Sequence, residues 1–114
     1  MTAAVDPKAL RPDDFLDLDG SLGTEERDVR DMVRAFVADR VLPDVGDWFE
    51  HAHLPIELAR ELGSLGLLGM HLDGYGCAGA SATAYGLSCL ELEAGDSGFR
   101  SFVSVQGSLA KGPL

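Results

Sequence analysis

Residues 81–110 read SATAYGLSCLELEAGDSGFRSFVSVQGSLA and predict two consecutive helices with almost no wet side. The stretch from Ser81 to Ala94 is apolar or small nearly throughout, with Glu91 and Glu93 at its wetter end. A helix that is apolar all round is buried by neighbours, so this one belongs in the middle of a larger packing. Gly95 breaks the run, and Asp96 or Ser97 is a good N-cap for a further helix from Asp96 to Ala110. On that helix, at about 100° per residue, Arg100, Ser101, Ser104, Gly107 and Ser108 fall within roughly one third of the circumference. Phe99, Phe102, Val103, Val105, Leu109 and Ala110 cover the remainder. A fixed cation beside hydroxyls and a glycine suits a small anion entering along the strip. Pattern alone leaves a second reading equally open, in which Arg100 makes a surface or interface ion pair with Glu93 or Asp96.

Working back towards the N-terminus, Thr24 is a favourable N-cap and Glu25 and Glu26 suit the positive end of a helix dipole. Val29, Met32, Val33, Phe36, Val37 and Val41 then keep helical spacing. That first helix is expected to end near Leu42, because Pro43 disfavours a helical conformation in the residue before it. Asp44 to Leu54 reads as loop with a short turn. Pro55 opens a second helix whose apolar side is Ile56, Ala59, Leu62 and Leu65, stopped by Gly63 and Gly66. Residues 1–23 are rich in Asp, Pro and Gly and read as a partly ordered acidic arm, pinned at apolar points such as Leu10, Phe15, Leu16 and Leu22. With neither an internal repeat nor a trustworthy strand alternation, the fold class is all-α, with about four main helices.

At 114 residues the chain makes about one domain. Nine basic against nineteen acidic side chains give a net charge of −10, which opposes nucleic acid and anionic membranes as partners. Arg100 stands against that average field. Two cysteines, Cys77 and Cys89, lack metal-type spacing and are too few for a disulfide framework, so two reduced, buried thiols in a cytoplasmic protein are expected. The N-terminus has no basic region followed by an apolar core, and no apolar run approaches the length that spans a bilayer.

Other motifs weaken under inspection. Gly74, Gly76 and Gly79 match G-x-G-x-x-G, but the dinucleotide fingerprint needs a strand before it and an acidic residue at the end of a second strand. Here a helix precedes and Glu93 sits at a helix end, so a glycine-rich turn is the better reading, with Met70 to Leu72 at most a short extended piece. His51, His53 and His71 do not supply three converging ligands, so no metal site is expected. No serine stands in a strand-to-helix elbow beside a base and an acid. Tyr85, Trp48 and the phenylalanines read as core, and Glu91, Glu93 and Asp96 as helix-end capping and solvation. No catalytic residue is nameable within the chain.

The runs TEERDVRDMVRAFVADRVLP, LPIELARELGSLGLLG and GYGCAGASATAYGLSCLELEAGDSGFRSFVSVQGSLA together resemble the N-terminal helical domain of the acyl-CoA dehydrogenases, within them the glutaryl-CoA dehydrogenase branch. The likeness runs from about residue 6 to residue 110, and its discriminating part is SGFRS followed by VSVQ. The resemblance implies that Arg100, with Ser101 and Ser104, holds the distal carboxylate of the substrate, in agreement with the strip read from periodicity. It further implies FAD as cofactor, glutaryl-CoA as substrate with oxidative decarboxylation to crotonyl-CoA, an electron-transfer flavoprotein as electron acceptor and a homotetramer. Two departures stand out. Cys77 occupies a position where the family usually has glycine. After Ala110, the atypical tail 111–114 replaces the continuing helix, the β-barrel and the C-terminal helical bundle that supply most FAD contacts, the glutamate base and the tetramer interface. The expectation is a truncated enzyme, 24–110 being its helical domain, inactive alone and without retained FAD. The alternatives are a fragment of another dicarboxylyl- or acyl-CoA dehydrogenase and a non-catalytic helical interaction module.

Overall fold

In the computed structural model, which describes residues 11–110, α1 spans Thr24–Phe36 and continues through a wider, π-type turn over Val37–Val41 before Pro43. Its start is one residue earlier than expected. Gly23 is the N-cap, its N–H donating to Glu26 Oε2 at 2.8 Å, and Thr24 is already helical. Next come α2 (Val45–Glu50), α3 (Glu57–Ser64), α4 (Ala82–Gly95) and α5 (Ser97–Ser104), the last extended by a second π-type stretch over Val105–Ala110. Among the described residues there is no strand, and no helix is long and apolar enough to cross a membrane.

Several expectations need correction. Asp44 to Leu54 is not simply loop: α2 forms there because Val45 and Trp48, three apart, turn inward, and Trp48 packs edge-on against Phe99 of α5 at 5.7 Å. In α3 the buried pair is Leu58 and Leu62, one turn apart, while Ile56 precedes the helix and is 72% exposed. The expected set of Ile56, Ala59, Leu62 and Leu65 was thus partly misplaced, because the helix begins two residues after Pro55. Among the described residues the arm is held chiefly by charge, with Leu22 half-buried. Asp14 accepts from the N–H groups of Leu18 and Asp19 at 2.8 and 3.1 Å, folding a 3₁₀ turn over Leu18–Ser21. Arg27 then donates to the Asp19 carbonyl, and Arg30 pairs with the Asp19 carboxylate. Phe15 and Leu16 stay exposed. Leu10, the rest of the arm before Arg11 and the tail 111–114 lie outside the described residues.

The core forms where α1, α4 and α5 meet. Val33, Phe36, Val37 and Val41 of α1 pack with Ala84 and Leu92 of α4 and Phe99 and Val103 of α5, closed beneath by Leu58, Leu62, Leu67 and Met70. Two features bring α1 and α4 together. Arg34 donates from Nε and Nη2 to the two oxygens of Glu91, at 3.1 and 2.7 Å, and the carboxylate is only 8% exposed. Glu91 is therefore not part of a wet helix end, as its position near Glu93 suggested. At the C-terminal end of α4, a Cβ on Gly95 would lie 2.5 Å from Val37 Cγ1, so only glycine lets the helices approach this closely. Helix ends are satisfied by side chains: Ser81 Oγ accepts from Ala84 N, and Asp96 Oδ2 from Phe99 N, each at 3.1 Å.

Removing Arg34 leaves a buried carboxylate without its fork. Arg34→Met should lower unfolding free energy by about 2–3 kcal/mol. Arg40→Met, which breaks the exposed Arg40–Glu61 pair, should cost about 0–1 kcal/mol. Urea denaturation of both variants checks the ranking; equal losses would contradict it.

Candidate functional site

Residues four apart on a helix stack on one face, which aligns Tyr85, Cys89 and Glu93 on α4 and Arg100, Ser104 and Ser108 on α5 and its extension. The short break at Asp96 folds α5 back against α4, and the two rows meet. At one end Arg100 Nε donates to Glu93 Oε2 at 2.7 Å. At the other the Tyr85 and Ser108 hydroxyls lie 3.4 Å apart. Arg100 Nη1 also donates to Ser104 Oγ at 3.4 Å, and the Ser104 hydroxyl donates to the Ser101 carbonyl at 3.2 Å.

The expected site residues are thus only partly assembled. Arg100 and Ser104 share one strip. Ser101 is half-buried to one side, meeting the strip through its carbonyl. The alternative ion pair of Arg100 is present as well, with Glu93 as its partner, while Asp96 is engaged as a cap. From sequence, Glu93 read as a capping residue or partner of Arg100, Tyr85 as core and Cys89 as a buried thiol; that the three share one face of α4 was carried by their four-residue spacing.

Electrostatics fit this geometry. The Arg100 guanidinium, with help from the Ser97 hydroxyl at 2.6 Å, holds the Glu93 carboxyl below the usual carboxylate range. In return, the Glu93 hydrogen bond holds the Arg100 guanidinium more firmly protonated. The pair is accessible, the side chains being 37% and 46% exposed, so its contribution to stability is small. Its importance lies in availability: the guanidinium sits at an open strip with a carboxylate already on it. Burial pushes the Cys89 thiol up, partly offset by the Tyr85 hydroxyl and by Arg100. Cys77 and Cys89 are both unpaired, as expected, but half-buried where buried thiols were expected.

The other motifs resolve as structure. Gly74, Gly76 and Gly79 all take positive φ in a turn closed by Gly79 N to Leu72 O at 3.0 Å and Ala80 N to Met70 O at 2.6 Å. Among the described residues no group of three metal-ligating side chains converges, and His51 binds only the Asp47 carbonyl. A cavity of about 520 Å³ lies between the start of α1 and the loop before α4, lined by Gly23, Thr24, Glu25, Glu26, Gly79, Ala80, Ser81 and Ala84. Its only charged residues are two glutamates, which does not suit a flavin pyrophosphate.

A helical core of this kind with an arginine strip along its last helix defines a class. The family model described as "Acyl-CoA dehydrogenase, N-terminal domain" matches residues 23–114, and the chain belongs to that family. It is similar to the crystal structure of glutaryl-CoA dehydrogenase from Mycobacterium smegmatis, at 63% identity and a TM-score of 0.80 over 84% of this chain. A second structure, a glutaryl-CoA dehydrogenase from the same organism in complex with FADH2, matches at 65% identity and a TM-score of 0.79 over 81% of this chain. The chain covers 25% and 24% of the lengths of those two structures.

The sign of the Glu93 shift fixes a pH prediction. A carboxyl lowered in the folded state contributes stability above its unfolded value and loses it as pH falls through the folded value. The Arg100 Nε–Hε resonance should therefore stay shifted at pH values where free glutamate, with a value of about 4.3, is already half protonated. It should move only below that. In Arg100→Gln the Glu93 carboxyl should titrate higher, in the ordinary range; an unchanged Glu93 titration by NMR would remove the pair from the account.

Proposed function

We propose that this chain is the substrate-recognising N-terminal part of an FAD-dependent acyl-CoA dehydrogenase acting on glutaryl-CoA, with Arg100, Ser101 and Ser104 receiving the distal carboxylate. The observation that carries the proposal is the Arg100–Glu93 contact. On a half-open strip, the guanidinium already donates to one carboxylate oxygen of Glu93 at 2.7 Å and to Ser104 Oγ at 3.4 Å. A substrate carboxylate offers the same chemistry, and a guanidinium with several free N–H donors can serve two carboxylates or exchange one for the other. Ser104 orients the guanidinium. Ser101, by resemblance to the family, completes the pocket from the side. The similarity to glutaryl-CoA dehydrogenases supports the choice of substrate.

The cavity at the start of α1 does not fit FAD by itself, since the two glutamates that line it repel the cofactor's phosphates. FAD, the proton-abstracting base, the electron-transfer flavoprotein partner and the homotetramer belong, on this proposal, to the complete enzyme. The domain spans residues 24–110, preceded by the charge-pinned arm and followed by the tail 111–114. Purified alone, the chain should show no stoichiometric flavin band in its visible spectrum and no glutaryl-CoA-dependent dye reduction. Either signal would overturn this division of labour.

Arg100 is tested by joining residues 1–110 to the remaining domains of the Mycobacterium smegmatis relative. A guanidinium–carboxylate contact in a partly dry site is worth on the order of 1.5–3 kcal/mol. Arg100→Ala should then reduce kcat/KM for glutaryl-CoA by roughly tenfold to over a hundredfold, while butyryl-CoA loses little. Arg100→Lys should restore only part, because an ammonium lacks the planar fork. Equal losses for both substrates would assign Arg100 to folding.

A further inference from the structure

We propose that Ser97 is a positioning residue that keeps the Arg100 fork half open: by holding one oxygen of Glu93, it stops that carboxylate from gripping the guanidinium with both oxygens and leaves Nη2 for the substrate. The inference rests on the reading of Arg100 as the receiver of the substrate carboxylate, and names what keeps the receiver free beside a competing acid.

The chain carries its own comparison. Arg34 and Arg40 each face a glutamate, and each closes on it with two prongs. Nε and Nη2 of Arg34 donate to Oε2 and Oε1 of Glu91 at 3.1 and 2.7 Å, and the same atoms of Arg40 donate to Oε2 and Oε1 of Glu61 at 2.9 and 2.7 Å. That side-on fork is the geometry a guanidinium and a carboxylate adopt when nothing else claims either group. Arg100 begins the same grip, with Nε donating to Glu93 Oε2 at 2.7 Å, and does not complete it. Glu93 Oε1, whose counterpart in the other two pairs accepts from Nη2, accepts instead from the Ser97 hydroxyl at 2.6 Å. Among the described residues Arg100 Nη2 has no acceptor, and Nη1 has only Ser104 Oγ at 3.4 Å.

The break between the helices sets this up. Ser97 is the first residue of α5, four after Glu93, and it is Asp96 Oδ2 that accepts from the Phe99 N–H. The Ser97 hydroxyl is therefore not spent on capping the helix and is free to reach back to α4. Ser97 and Glu93 are both exposed, so their hydrogen bond adds little to stability. Its effect is to choose which way the carboxylate faces.

In the joined enzyme, Ser97→Ala should let Glu93 close the fork. KM for glutaryl-CoA should rise roughly two- to tenfold, the scale of one hydrogen bond, while kcat and the KM for butyryl-CoA hold. Ser97→Thr, which keeps the hydroxyl, should keep the parent KM. With Glu93→Gln already in place, Ser97→Ala should have no further effect, because no second carboxylate oxygen competes for the guanidinium. A glutaryl-CoA KM unmoved by Ser97→Ala, or moved equally for butyryl-CoA or equally in the Glu93→Gln background, would overturn the proposal. The fork is also followed without substrate in the chain as it stands, by nitrogen NMR of the exchange of Arg100 Nη1 with Nη2 through rotation about Nε–Cζ. Ser97→Ala should slow that rotation severalfold, as a second prong forms. If the rotation slows while Arg100→Ala costs both substrates equally, the failure lies with the substrate assignment; an unchanged rotation removes Ser97 from the fork whatever the kinetics.

Discussion

Everything at the strip depends on the contact between α1 and α4. Arg34 grips both oxygens of the buried Glu91, and Gly95 lets Val37 lie against the α4 backbone where any side chain would collide. The ion pair by itself is a poor source of net stability, since desolvating Glu91 costs much of what the fork returns. Its effect is to fix rotation. With Glu91 turned towards α1, Glu93 is turned by about 200° to the other side of α4, where it meets Arg100. One helix thus carries two glutamates two residues apart with opposite duties, one locking the bundle and one facing the strip.

The second constraint is the abrupt turn at Asp96. This residue ends α4 in an extended conformation and caps α5 with its carboxylate. No loop separates the helices, so the rows Tyr85–Cys89–Glu93 and Arg100–Ser104–Ser108 come into register within a few residues of chain. In a protein with a net charge of −10, an exposed arginine would otherwise be a weak general attractor for anions. Held by Glu93 and Ser104, it becomes a directed donor at a fixed place beside α4.

Much of this was open to inspection in the sequence. The 3.6-residue period of Val33, Phe36, Val37 and Val41, the capping residues Ser81 and Asp96, and the polar strip around Arg100 all led to the helices now seen. What failed did so for tertiary reasons. Glu91 and Glu93 look alike in sequence, and only the position of Arg34, far off along the chain, separates them. The α2 turn arises because Trp48 finds Phe99, a contact no local pattern reveals. Leu90 on α4 is exposed, as are Val105 and Leu109 beyond α5, which is the uncovered apolar surface that two helices apolar nearly all round leave on this domain. The acidic arm was read as pinned at apolar points, yet Phe15 and Leu16 are exposed and it is Asp19 that ties the arm to Arg27 and Arg30 of α1, with Asp14 folding the turn that presents it.

The central claim is that Arg100 changes its carboxylate partner, or shares it, when the substrate enters. A crystal structure of the joined enzyme with glutaryl-CoA bound observes this directly. The account predicts the distal carboxylate within hydrogen-bonding distance of the Arg100 guanidinium and the Ser104 hydroxyl. A structure in which that carboxylate binds elsewhere, while Arg100 remains turned only towards Glu93, would contradict it.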